Sequence, residues 1–211
     1  MIDQSVIAFT ITALIITLTP GNDTILVFRN SLSGHRSAGF ATMFGICAGL
    51  IVHGAFASMG ISVILTQSAT LFQVVKLAGA GYLIFLGGQT LWAAWKNRDK
   101  QLVTSQSESS QKPKSVAKSF GEGVLTNVLN PKVALFYLSF LPQFIAPTDP
   151  FFKPLLLAGI HIVWGIIWLS IVVLMINKMR KILTNPRAKS IMDAICGTVL
   201  VSLGVRLAVN E

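Results

Sequence analysis

Residues Ser37–Trp95 read SAGFATMFGICAGLIVHGAFASMGISVILTQSATLFQVVKLAGAGYLIFLGGQTLWAAW and contain a single formally charged side chain, Lys76. The hydrocarbon core of a bilayer takes about 20 helical residues to cross, so this stretch is long enough for two crossings. A helix on the surface of a soluble protein would carry polar residues along one face, and this stretch lacks such a face. The sequence here predicts two consecutive transmembrane helices.

The rest of the chain has the same character. Residues 5–22 and 154–177 are also free of formal charge, and only 12% of the 211 residues are charged, against about 25% in soluble domains. The mean hydropathy is +0.68. These features predict an all-α membrane protein with about six transmembrane helices. We place the spans near 5–27, 38–65, 69–95, 119–145, 152–178 and 189–208.

The basic residues indicate the orientation. Thirteen of the 17 Lys and Arg residues fall in the first, third and fifth connections. They are Arg29, Arg36, Lys96, Arg98, Lys100, Lys112, Lys114, Lys118, Lys178, Arg180, Lys181, Arg187 and Lys189. Because basic connections stay in the cytoplasm, we expect a bacterial inner-membrane protein with periplasmic termini. The net charge of +9 therefore indicates topology and not a nucleic-acid partner. The last span, which carries Arg206, is the weakest prediction.

A polar linker divides the chain. Residues 96–118 are dominated by Ser, Gln and Lys, a composition typical of a flexible segment, which we place in the cytoplasm. It separates an N-terminal block, 1–95, from a C-terminal block, 119–211. Each block has three predicted helices, and an odd number places the second block upside down relative to the first. This arrangement predicts two inverted three-helix repeats, a common transporter plan.

Each block contains one interrupted helix. The first helix is broken at Thr19-Pro20-Gly21-Asn22-Asp23, and the fourth at Asn130-Pro131-Lys132, shortly after Asn127. Proline removes a backbone donor and glycine loosens a helix. Paired breaks in corresponding helices indicate a transporter's binding site, so we predict that these residues from Pro20 to Asp23 and from Asn130 to Lys132 bind substrate or couple transport. Two structural proline kinks are the alternative.

Asp23 and Lys132 are the charged members of these breaks. A carboxylate inside a span costs several kcal/mol unless it is paired, hydrated or protonated. Asp23 can accept a substrate ammonium or exchange a proton, and Lys132 can receive a substrate carboxylate, so together they fit a zwitterionic amino acid. The alternatives are that Asp23 is solvated near Arg29, and that Lys132 pairs with Asp23 or extends to the interface.

Three further side chains are candidate site residues. His53 and His161 occupy the second helix of each block and suit a proton relay or a cavity wall, although a lone intramembrane histidine more often forms a structural interhelical hydrogen bond. Tyr82 follows a glycine-rich segment and needs a hydroxyl partner. Gly45-Ile-Cys-Ala-Gly49 is typical of close packing, within a bundle or between the subunits of a homodimer.

Other features indicate structure and not chemistry. The four tryptophans, Trp92, Trp95, Trp164 and Trp168, are read as interfacial or lipid-facing anchors. The aromatic cluster from Phe136 to Phe144 is read as packing. Cys47 and Cys196 lie inside spans, where thiols act as small hydrophobes. The sequence has no HExxH motif and no cysteine cluster, so we predict no metal site.

Three segments in order resemble the LysE/RhtB family of bacterial amino-acid exporters, which includes lysine and homoserine/threonine efflux proteins. They are Thr19–Thr24, Gly79–Gly87 and, most specifically, Asn130–Phe144 (NPKVALFYLSFLPQF). The resemblance implies export of an amino acid or similar metabolite by proton exchange, without ATP or a prosthetic group, so no cofactor is expected. The chain departs from the family at Asn22, where a second proline is usual, and at Asp23, where Asn is frequent.

Other functions fit the sequence less well. An inorganic-cation exporter is the alternative within transport, but the spans have few carboxylates, Asp23 and Asp193 among them, and a Ca²⁺ or Mg²⁺ site needs several oxygen ligands. An intramembrane enzyme would need a nucleophile set or paired catalytic carboxylates, neither of which is present. A scaffold subunit has no need of two matched helix breaks. The partners we expect are an amino-acid substrate and membrane lipid.

Overall fold

The structure, a computed structural model, describes residues 4–19, 21–33, 35–67, 69–96, 115–146, 148–150, 152–178 and 185–209. Within these ranges the regular elements are all helical, which confirms the predicted all-α class. Most of the predicted cytoplasmic linker, residues 97–114, lies outside the described residues, and so does Pro20.

The described residues form eight α-helices, and the outer bounds of most of them lie within a few residues of the predicted spans. They are α1 (Gln4–Leu18), α2 (Asn22–Ser33), α3 (His35–Gln67), α4 (Ala69–Lys96), α5 (Val116–Val128), α6 (Pro131–Leu135), α7 (Lys153–Leu174) and α8 (Pro186–Val209). A π-helical turn, Phe136–Phe140, and a 3-10 turn, Leu141–Phe144, continue α6.

The predicted first and fourth helices are both broken. α1 and α2 bend by 50° at their junction, and α5 bends by 47° from the segment Pro131–Phe144. The second break follows from local sequence: the Asn130 side chain accepts a hydrogen bond from the Lys132 amide at 3.1 Å, and Pro131 occupies the first turn, where its missing N–H costs nothing. The two predicted interruptions are therefore confirmed.

The apolar spans fit a membrane protein. Among the residues that the structure describes, three helical stretches, His35–Met59, Leu77–Lys96 and Lys153–Leu174, are long and apolar enough to cross a bilayer, and the count rises to five if each bent pair is one crossing. α8 has 24 residues but is more polar. The sixth crossing and the inverted repeat stay predictions.

Glycines allow α3 and α5 to pack backbone against backbone. A methyl group at Gly45 would overlap the Phe120 carbonyl oxygen, and one at Gly123 would overlap the Thr42 carbonyl oxygen. The predicted close packing at Gly45 and Gly49 thus occurs within the bundle. The homodimer that the same motif also suggested stays a prediction, without support from these glycines.

A second close crossing joins α4 to α8. A methyl group at Gly87 would stand 2.7 Å from the Gly197 carbonyl oxygen, and one at Gly204 would stand 2.9 Å from that of Ala80. Small residues at such crossings let helix backbones approach. Gly87, the last residue of the segment Gly79–Gly87, therefore lies at the crossing of two helices.

We expect Gly123→Ala to destabilise the protein by about 1–3 kcal/mol, because the added methyl forces α5 away from α3. The matched control is Gly121→Ala on the same helix, where a methyl group meets nothing within 4 Å. Thermal unfolding of both variants in detergent should lower the midpoint only for Gly123→Ala. Equal midpoints would show that the crossing has room to relax.

Candidate functional site

The two helix breaks lie beside each other and line one pocket. Its wall includes Thr19, Gly21 and Asp23 from the first break, Asn130 and Lys132 from the second, and His161 from α7. About 50 Å³ of the pocket is open to the centre of a water-sized sphere. Most of the remaining wall is aliphatic or aromatic. A few polar groups on an apolar wall are typical of small-molecule sites.

The Asp23 carboxylate is held by the opposite half of the chain. Its Oδ2 accepts a hydrogen bond from Asn127 Nδ2 at 2.8 Å, and its Oδ1 accepts one from Asn130 Nδ2 at 3.3 Å. Both asparagines are buried. Asp23 stands in the first turn of α2, where the helix dipole also favours a negative charge. Asp23 therefore ties α2 to the α5–α6 break.

Lys132 bonds to the first half of the chain. Its Nζ donates to the Ile16 carbonyl oxygen at 2.8 Å and to the Thr19 carbonyl oxygen at 2.9 Å. These are carbonyls of the last turn of α1, which carries the negative end of its helix dipole. The described residues form no ion pair between Lys132 and Asp23 within 4.0 Å, so the direct pair that we considered is not made. The Asp23 carboxylate and the Lys132 ammonium are therefore each bonded to a helix end of the other half.

Three rings stack behind the pocket. Tyr137 stacks on His53, with ring centroids 5.8 Å apart, and on His161, with centroids 5.6 Å apart. His53 Nε2 is 3.0 Å from the Asn127 carbonyl oxygen. Asn127 thus touches Asp23 through its side chain and His53 through its backbone. The two histidines, from α3 and α7, both stack on one tyrosine.

Several polar atoms of this cluster are buried without a hydrogen-bond partner in the described part of the chain. They are Tyr137 OH, His161 Nδ1 and Asn127 Oδ1. A buried polar atom left unpaired costs about 1–3 kcal/mol, so such atoms call for a water or a ligand. Their position next to the pocket gives it spare donors and acceptors.

The predicted site residues divide into two groups. Gly21, Asp23, Asn130, Lys132 and His161 line the pocket, and His53 contacts it through Asn127. The other three described candidates do not line it. Asn22 and Pro131 are exposed, and Tyr82 packs on Phe85 with ring centroids 6.4 Å apart, away from the breaks.

One interpretation of a tryptophan was wrong. Trp168 lines the pocket, and its Nε1 donates to the Thr24 hydroxyl at 3.3 Å, so it is not a lipid-facing anchor. The indole is amphipathic, and sequence alone does not indicate which face of α7 turns inward. Trp92 and Trp95 are exposed, as an outward-facing position requires.

Asn127 and Tyr137 are two further residues of the site that we did not predict. Asn127 was noted beside the second break but not chosen, and Tyr137 was assigned to aromatic packing. Asn127 lies three residues before Asn130 and four residues before Pro131. Side chains at this spacing share a helix face, so the spacing could have indicated Asn127. No pattern in the sequence marks Tyr137, whose place depends on the π-helical turn.

A second polar link joins the same two halves further along α2. Asn30 is fully buried, and its Nδ2 donates to Thr42 Oγ1 at 2.9 Å and to Glu122 Oε2 at 3.0 Å. Arg29 lies 3.6 Å from the same carboxylate. Asn30 is seven residues from Asp23, or about 10 Å along a helix. α2 and α5 are therefore joined both at the pocket and beyond it.

The LysE type translocator family matches residues 14–211, which is most of the chain. The chain belongs to this family. Residues of both helix breaks lie within the matched region, so the pocket is built from family sequence. The resemblance seen in the three segments is confirmed, and the protein is a membrane translocator.

Relatives of similar length cover nearly the whole chain. The uncharacterized membrane protein YrhP of Bacillus subtilis is 31% identical over 98% of this chain and 100% of its own. An uncharacterized membrane protein of Vibrio cholerae is 29% identical over 96% and 95%. The homoserine/homoserine lactone efflux protein of Salmonella typhi is 27% identical over 95% and 94%. No solved structure matches the chain.

Proposed function

We propose that this translocator exports a neutral or basic amino acid, of the homoserine or threonine kind, from the bacterial cytoplasm in exchange for protons. The observation that carries the proposal is the meeting of Asp23, Lys132 and the α1 carbonyls in one pocket. A zwitterion needs an acceptor for its ammonium and a donor for its carboxylate. The pocket supplies both at one point, and efflux relatives carry the same family sequence.

Asp23 suits the role of proton carrier. It is the acidic residue among those that line the pocket in the described chain. As a carboxylate, it accepts amide hydrogen bonds from Asn127 and Asn130. A protonated carboxyl group has one O–H donor and fewer acceptor sites, so protonation weakens the link between α2 and the second break. Proton binding would thus alter the contact between the two halves.

The contacts between halves suit alternating access. Three helices of the first block contact helices of the second: α2 contacts α5, α3 contacts α7, and α4 contacts α8. In transporters with inverted repeats, one repeat or bundle moves against the other around a fixed site. The predicted inverted three-helix repeats, with periplasmic termini and a cytoplasmic linker, are part of this proposal.

The test is efflux from cells preloaded with labelled amino acids, with and without expression of the chain. We expect faster loss of one amino acid, and collapse of the pH gradient by a protonophore should slow that loss. If no amino acid leaves faster, the substrate class is wrong, and a panel of metal cations follows. If the loss is faster but insensitive to the gradient, proton exchange is wrong and export stands.

A further inference from the structure

The Lys132 ammonium occupies a cation site made by main-chain oxygens. It bonds the Ile16 and Thr19 carbonyls at 2.8 and 2.9 Å. In a continuous helix, the Ile16 carbonyl would accept from the amide four residues on. Residue 20 is proline and has no N–H to give. The break therefore frees an oxygen, and a cationic group is bound to it.

This arrangement has the chemistry of an ammonium subsite. Carbonyl oxygens at a helix C-terminus carry partial negative charge and favour a cation. A lysine ammonium presents three N–H donors, and so does the α-ammonium of an amino acid. The same pocket wall contains Asp23, whose oxygens accept one amide hydrogen bond each, which leaves lone pairs for a further donor.

We propose that the Ile16 and Thr19 carbonyls bind the α-ammonium of the substrate, and that Lys132 occupies this subsite as a tethered substitute when the pocket is empty. The inference rests on the proposed function and specifies how the substrate is recognised. On binding, the substrate ammonium replaces the Lys132 ammonium at the two carbonyls. The released Lys132 then donates to the substrate carboxylate.

The exchange of ammonium groups explains why both ends of a zwitterion are needed. An amine without a carboxylate would displace Lys132 and leave two cations in a pocket with a single acidic side chain among its described residues. A carboxylate without an ammonium would draw Lys132 away and leave the α1 carbonyls unpaired. Only a zwitterion satisfies the carbonyls and Lys132 together. The same requirement excludes simple inorganic cations.

The prediction is a reversal of ligand preference in Lys132→Ala. We would measure thermal unfolding of the purified full chain in detergent with homoserine, N-acetylhomoserine and 3-aminopropan-1-ol, which lacks the carboxylate. Wild type should be stabilised by homoserine alone. Lys132→Ala should be stabilised by 3-aminopropan-1-ol, with a midpoint rise of about 3–5 °C at about ten times its Kd. Tetramethylammonium, a cation without N–H donors, should leave both proteins unchanged.

The outcomes separate this inference from the proposed function. If homoserine or another amino acid stabilises wild type but 3-aminopropan-1-ol has no effect on Lys132→Ala, the ammonium subsite is wrong and amino-acid binding stands. If the amine stabilises Lys132→Ala while no amino acid stabilises wild type, the subsite stands and the amino-acid substrate is wrong.

A second variant keeps the test decisive if Lys132→Ala does not fold. Lys132→Arg retains a cation at the carbonyls, but its guanidinium has five donors in a rigid fork and is harder to displace. We expect unliganded Lys132→Arg to keep the wild-type midpoint and to bind homoserine about tenfold more weakly or worse. Unchanged homoserine binding by this variant would overturn the displacement step.

Discussion

Asp23→Asn is expected to reduce proton-driven efflux by about tenfold to a hundredfold. The carboxylate holds two amide donors from the opposite half, at 2.8 and 3.3 Å. An Asn side chain can accept one of these bonds but presents its own NH₂ to the other donor. A hydrogen bond to a charged group contributes about 1.5–3 kcal/mol, and each 1.4 kcal/mol is a factor of about ten. The variant also cannot alternate between two protonation states.

The measurement is efflux of a preloaded labelled amino acid, with and without an imposed pH gradient. Ile25→Ala is the control, because Ile25 lies two residues along the same helix and its side chain is 57% exposed. It should transport at the wild-type rate. If an imposed pH gradient accelerates efflux by Asp23→Asn as much as efflux by wild type, Asp23 does not carry the proton. Its role is then limited to joining the two halves.

Local sequence determined the framework of this protein. Uncharged stretches located the helices, and proline, glycine and asparagine located the two breaks, because these residues act on the backbone of their own turn. The second break shows this directly, since the Asn130 side chain caps the helix that Pro131 begins. Such signals need no knowledge of neighbouring helices.

The partners of side chains were harder to predict. The sequence placed Asp23 and Lys132 at the breaks. It did not indicate that each of them bonds to a helix end of the other half. It also left open whether Gly45 packs within the bundle, and it misplaced Trp168. These outcomes depend on how each helix is rotated, and uniformly apolar helices have no polar face that would indicate rotation.

The two ends of the broken helices are joined by different chemistry. On one side of the pocket, Phe9 of α1 packs on Phe136 and Phe144, with ring centroids 5.8 and 5.4 Å apart. On the other side, α2 and α5 are linked by Asn30, Arg29 and Glu122. Aromatic contacts need no fixed partner. Separation of Asn30 and Arg29 from Glu122, in contrast, leaves a carboxylate that water has to solvate. The polar side is therefore the one whose opening depends on hydration.

Asn127→Ala is expected to impair efflux about as strongly as Asp23→Asn. Asn127 supplies the shorter of the two bonds to Asp23, and its loss leaves Oδ2 without that donor. The expected decrease is again about tenfold to a hundredfold, from the contribution of a charge-assisted hydrogen bond. Efflux of the labelled substrate, normalised to the amount of protein in the membrane, measures it.

Gly49→Ala tests the same hydrogen bond without a mutation of Asp23 or Asn127. A methyl group at Gly49 would stand 2.6 Å from Asn127 Oδ1 and 2.8 Å from its Cβ, so the amide must move. We expect a similar transport defect. The control is Gly159→Ala on α7, where a methyl meets nothing within 4 Å. Normal efflux by Gly49→Ala would mean that the amide keeps its bond to Asp23 after shifting.

A double-mutant cycle decides whether Asp23 and Asn127 act together. If the bond between them is what transport requires, adding Asn127→Ala to Asp23→Ala, which has no acceptor, should cause little further loss, and the coupling energy should be about 1.5–3 kcal/mol. Independent roles would instead give additive losses. Two residues that contribute through one shared bond cannot lose that bond twice. Strictly additive losses would therefore show that the Asp23 carboxylate acts in transport independently of its hydrogen bond to Asn127.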